Sequence, residues 1–97
     1  QNPKSNPIVM TVSLLYSFFV KLLKYHAVSN KANAAKALGV NPYFIKDYQV
    51  AARNYPMKKV SMIISAIRDI DMKSKGVGAS NTPQADLLKE LLVAIFN

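Results

Sequence analysis

The side chains able to do acid–base or metal chemistry are few: His26 and the carboxylates Asp47, Asp69, Asp71, Asp86 and Glu90. There is no cysteine, which removes disulfides, thiolate catalysis and cysteine-based metal sites. No second histidine and no cysteine exists to complete a metal set around His26. Its spacing from Leu15, Phe19 and Leu22 instead places it near the end of an apolar helical stripe, the setting of a structural histidine. Asp69 and Asp71 stand at i and i+2, so on a helix they diverge rather than share a substrate. The run "GVGAS" at 76–80 has the glycines of a phosphate loop. It follows a helical segment rather than a strand, however, and lacks the Gly-Lys-Ser/Thr ending. No catalytic residue, metal ligand or cofactor site is therefore expected, and the chain reads as a non-enzyme with no small-molecule substrate.

What remains is charge and apolar surface. Of 97 residues, 51% are hydrophobic and 19% charged, the balance of one folded domain rather than a disordered chain. Lys and Arg number 13 against 5 Asp and Glu, a formal charge of +8. Such an excess favours a polyanionic partner: nucleic acid, an acidic protein surface or a membrane face. The lysines are spread along the chain; only Lys58-Lys59 and Lys73/Lys75 are bunched, so this is no basic tail. "QNPKSNP" has no basic region followed by an apolar core and cleavage site, so it reads as a linker entering a domain. Residues 1–6 are expected to be that linker and 7–97 a single domain, a fragment of a longer chain. The apolar run from Ile8 stops at Lys21, short of the ~20 residues a bilayer span needs. A cytoplasmic, non-membrane location is expected, consistent with the missing cysteines.

The elements that carry these residues read as five helices without a strand. The first is capped by Asn6-Pro7 and carries the stripe Ile8, Val12, Leu15, Phe19 and Leu22, widened by Leu14, Phe18 and Tyr25. Ser13, Ser17, Lys21 and Lys24 form only a narrow polar strip, so this helix belongs in a bundle centre or at a subunit interface. Asn30 caps a short second helix that Gly39 ends. Asn41-Pro42 opens the third, with Phe44, Tyr48, Ala51 and Tyr55 on one face and Lys46, Asp47, Gln49 and Arg53 away from it. Pro56 interrupts, and a fourth helix runs over about 57–72 on Val60, Ile63, Ile64, Ile67 and Ile70. "KSKGVGASN" is a loop, and Thr82-Pro83 opens a fifth helix with Leu88, Leu91, Leu92 and Ile95 inside. The expected fold is an all-α five-helix bundle with a helix-turn-helix-like corner at 31–55.

That corner admits two uses. A helix, a glycine turn and a following helix is the arrangement of a DNA reader, and the net charge fits. Yet the second helix leads with Pro42, Tyr43, Phe44 and Ile45 rather than with the short polar or basic groups that reach base edges. Asn41-Pro42 also spends the helix N-terminus on an internal cap. These residues read as packing residues that fix the joint, and the apolar first and fifth helices suggest an assembly module.

The order of motifs is similar to a known family. "ALGVNPYFIKDYQVAARNY", then "IRDIDMKSKGVG", then "LLKELLVAIF" resembles the C-terminal domain of the bacterial DNA polymerase III delta subunit. The matching positions are Leu38, Gly39, Val40, Pro42 and Tyr43 in the corner, then Lys46. Ala52, Arg53 and Tyr55 follow, and Asp71, Lys75 and Gly76 precede the leucine-rich last helix. The resemblance covers about residues 8–97. Pro56 departs from it, standing where the family more often has a capping Ser or Thr. The resemblance implies a helical collar that packs against the collars of other clamp-loader subunits. It also implies no nucleotide or clamp site in this part, within an assembly that places the sliding clamp on primed DNA for a DNA-directed DNA polymerase. On that reading Leu38, Gly39, Asn41, Pro42, Tyr43 and Phe44 form a structural corner. Lys46, Arg53, Asp71 and Lys75 are the expected interface or DNA-facing residues, any DNA contact being indirect through the basic surface. Asp71 and Lys75, at i and i+4, also read as a plain helix-surface pair.

Overall fold

The computed structural model describes residues 7–74 and 83–96. The expected linker 1–6, the Asn6 and Thr82 caps and residues 75–81 of the expected loop, with Lys75, lie outside these residues. The first two residues of that expected loop, Lys73 and Ser74, are helical instead. Five α-helices are present among the described residues, with no strand: α1 (Pro7–Ala27), α2 (Ala34–Leu38), α3 (Ile45–Asn54), α4 (Met57–Ser74) and α5 (Gln84–Phe96). Two 3-10 turns, Lys31–Asn33 and Pro42–Phe44, lead into α2 and α3. The all-α bundle read from the sequence is the observed fold.

The long helices α1 and α4 form the central pair. Their stripes, Ile8, Val12, Phe19 and Leu22 on one and Val60, Ile63, Ile64, Ile67 and Ile70 on the other, are all buried. Each such side chain contributes about 1.5–3 kcal/mol of transfer free energy, which makes this pair the main source of stability. Arg68 of α4 donates from Nη2 to the Tyr16 hydroxyl of α1 at 3.3 Å, at the edge of the same contact. By length and composition α1 could cross a membrane. The apolar stretch is Ile8–Ala27, 20 residues, longer than the run ending at Lys21 that the sequence reading takes as too short. Here 28% of it is buried, where α1 packs against α4, α2 and α3, while Met10 and Leu14 face out.

Helix α3 joins through rings. Phe18 stacks on Tyr48 with centroids 5.0 Å apart, and Phe19 meets Tyr55 edge-on at 5.7 Å. His26 fixes the far end of this contact, its Nε2 lying 2.7 Å from the Tyr55 carbonyl. The donated proton satisfies the carbonyl at the C-terminus of α3, the structural use that the spacing predicts.

Helix α5 packs on α4 through Leu87, Leu91 and Ile95. This corrects the expected stripe: Leu91 and Ile95 are inside, but Leu88 and Leu92 are 41% and 53% exposed. With leucines paired at 87/88 and 91/92 the helix fits two registers, and the one with i, i+4, i+8 spacing, Leu87, Leu91 and Ile95, meets α4. Leu14, expected to widen the α1 stripe, also faces out, at 70% exposure. Lys73 ties the two helices at the surface, 3.2 Å from Asp69 and 3.1 Å from Glu90.

Candidate functional site

The corner between α2 and α3 forms as its residues dictate. Asn30 Oδ1 accepts from the Ala32 amide at 3.1 Å, opening the first turn. Leu38 is buried and anchors α2. Gly39 then adopts φ +71°, the left-handed conformation that ends a helix. Its amide returns to the Lys36 carbonyl at 3.2 Å, and the Val40 amide to the Ala35 carbonyl at 3.0 Å. Asn41 Oδ1 accepts from the Tyr43 amide at 2.9 Å, with Pro42 at the first helical position. The chain thus turns on Leu38, Gly39, Asn41 and Pro42.

The two rings play another part. Tyr43 is 82% exposed and Phe44 48% exposed, stacked edge-on against each other at 5.3 Å on the surface. They do not pack the joint, contrary to the sequence reading. The reason is geometric: the 3-10 turn places both before α3 begins, outside the arc on which Tyr48, Ala51 and Tyr55 meet α1. Buried Ala34 and Leu38 and partly buried Ile45 occupy the joint instead.

The expected interface residues divide between two places. Lys46 and Arg53 are exposed on α3, on the same side as Gln49 and Val50. Asp71 is partly buried on α4, lining a pocket of about 260 Å³ between α1 and α4 with Ser13, Tyr16 and Arg68. Asp71 is therefore separated from Lys46 and Arg53. Lys75 lies outside the described residues.

Sequence reasoning missed a groove of about 560 Å³ between α3 and α5. Its floor is α1, with Leu15 and Phe18; its walls are Val50 and Ala51 of α3 and Leu92 and Phe96 of α5. Phe96 is 75% exposed. The available signal was the excess of apolar residues in α5 over what one buried stripe can use.

Electrostatically the site is plain. Burial pushes the Tyr48 hydroxyl above its usual range, helped by the adjacent Asp47 carboxylate. Lys73 is held above its usual range by its bonds to Glu90 and Asp69. Neither side chain lines the α1–α4 pocket or the α3–α5 groove. Among the described residues no three histidines or carboxylates gather at metal-binding range. Comparison with family models, with curated proteins and with solved structures finds no match.

Proposed function

We propose that this chain is an assembly domain, the collar-type C-terminal domain of a bacterial DNA polymerase III delta subunit, holding other clamp-loader subunits. The observation that carries this reading is the apolar surface turned outward on two helices. Met10 and Leu14 of α1 and Leu92, Val93 and Phe96 of α5 are 46%, 70%, 53%, 58% and 75% exposed. Apolar side chains grouped on helix faces mark surfaces that meet a partner. The ordered motifs from Leu38 to the last helix supply the family, and the helical bundle is compatible with it. In this role the domain is a scaffold with no catalysis of its own, in a machine that places the sliding clamp on primed DNA.

A second reading, a stand-alone helix-turn-helix DNA-binding domain, gains from one observation. Lys46, Gln49 and Arg53 are exposed on α3 and Tyr43 on the turn before it, so these side chains are available to a groove. Against it, Asn41 still caps the helix start, and Lys31 is engaged, donating to the carbonyls of Tyr25 and Val28 at the end of α1.

One experiment separates the two readings. The chain is used to pull down the other clamp-loader subunits, beside a duplex-DNA shift assay at two salt concentrations. Subunit capture with only weak, salt-sensitive DNA binding supports the assembly domain. Sequence-specific duplex binding without subunit capture supports the alternative.

A further inference from the structure

The groove between α3 and α5 has a charge pattern that its apolar lining does not reveal. On α3, Lys46, Val50 and Arg53 stand at i, i+4 and i+7, so both cations flank the apolar wall. On α5, Lys89, Leu92 and Phe96 stand at i, i+3 and i+7, which puts a third cation beside the other wall. All three cations are exposed. The groove is thus an apolar trough whose one charged lining side chain is Asp47, with Lys46, Arg53 and Lys89 exposed at the neighbouring helix positions, on a chain of formal charge +8.

We infer that this groove receives an acidic amphipathic helix from a partner protein. The inference rests on the assembly reading and adds the chemistry of the partner. Apolar anchors at i, i+3 or i+4 and i+7 would enter between Val50 and Leu92, over Leu15 and Phe18, with Phe96 closing one end. Glu or Asp on the flanks of that helix would meet Lys46, Arg53 and Lys89. A second copy of this chain is the poorer occupant. It would bring another +8 against the same exposed cations, and like charges brought together oppose docking.

The test uses a fluorescein-labelled synthetic amphipathic peptide with a Leu/Phe stripe and glutamates on its flanks, titrated with the 97-residue chain and followed by anisotropy. An isomer with lysines in place of the glutamates is the control. The acidic peptide is expected to bind, more weakly as salt rises from about 50 to about 200 mM, and the basic isomer is not. Leu92→Asp or Phe96→Asp should each weaken binding about tenfold or more, as loss of an interface anchor does. Both positions are exposed, so the fold survives. Lys46→Glu with Arg53→Glu should weaken binding and flatten the salt dependence, while Met62→Asp, 61% exposed on the outer side of α4, should leave it unchanged. Equal binding of both peptides, or binding indifferent to Leu92→Asp, overturns the inference. So does a dimer in sedimentation that Phe96→Asp dissociates, since a second copy would then be the occupant. Subunit capture that survives Phe96→Asp leaves the assembly reading standing while the groove fails. Peptide binding without any subunit capture does the reverse.

Discussion

Two adjacent leucines in α5 separate sharply in the structure. Leu91 is 2% exposed and packs between α5 and α4, while Leu92 is 53% exposed on the groove side. Truncating Leu91 to alanine removes three buried carbons, a transfer loss of about 2–2.5 kcal/mol at ~0.8 kcal/mol per carbon. The cavity left behind adds to this, bringing large-to-small core changes to about 2–5 kcal/mol. Helix α5 is bordered by an open groove and can shift toward α4, so the lower half of that range, about 2–3 kcal/mol, is expected. Leu92→Ala removes side-chain area that is already half in water and should cost no more than about 0.5–1 kcal/mol. In a domain of this size each kcal/mol moves the midpoint by about 4–8 °C. Melts followed by circular dichroism should therefore drop by about 10–20 °C for Leu91→Ala and by only a few degrees for Leu92→Ala. Urea titration with unchanged slope would confirm that the loss is in stability. Equal losses, or a larger loss at Leu92, would refute the placement of α5 and with it the groove.

Tyr43→Ala should change stability by less than about 0.5 kcal/mol despite the size of the ring, checked by the same melts; a loss above about 2 kcal/mol would mean that the ring packs. Gly39→Ala meets no atom within 4 Å of its new Cβ, so its cost is backbone alone, about 1–2 kcal/mol, with Gly39→Asn recovering part of it in chemical denaturation. Because the folded state holds the Tyr48 proton more tightly than the ordinary value of 10.0, stability should be unaffected at neutral pH and fall as pH rises past 10. Lys73, raised above 10.5, acts in the same direction, so its contribution is whole below that value and lost through its raised one. Tyr48→Phe should flatten the alkaline loss in melts taken from neutral to alkaline pH. His26→Ala removes the bond to the Tyr55 carbonyl and should cost about 1 kcal/mol, read from urea midpoints.

The central pair was legible because its periodicity is one-sided. In α4 the positions Val60, Ile63, Ile64, Ile67 and Ile70 admit a single buried face, with Lys58, Ser65, Arg68 and Asp69 on the other, and all five are buried. The caps at Asn30 and Asn41 and the stop at Gly39 were legible for a local reason, since side-chain acceptors and a left-handed residue act within three positions. Pro56 has no side-chain acceptor to stand in for a capping hydroxyl; its carbonyl takes only the first ordinary helical bond, from the Val60 amide at 2.9 Å. Legibility ended where apolar residues exceeded the core. Leu88 and Leu92 are as hydrophobic as Leu87 and Leu91, and only the position of α4 decides between the pairs. Tyr43 and Phe44 failed for a related reason: a 3-10 turn has three residues per turn rather than 3.6, so a helical wheel drawn through Pro42–Phe44 assigns their faces wrongly. The apolar excess of α5 signalled an outward surface, but the groove's place was illegible, because it is made by three helices distant in sequence.

The proposed role of this domain is to bind other subunits. The direct measurement is the mass, by light scattering on a sizing column, of the chain mixed with purified partner subunits of a bacterial clamp loader. The account predicts a single heteromeric species containing the chain, diminished when Leu14 and Leu92 are both replaced by aspartate. Elution of the chain alone at its monomer mass of 10.7 kDa, with the partners unchanged, would contradict it.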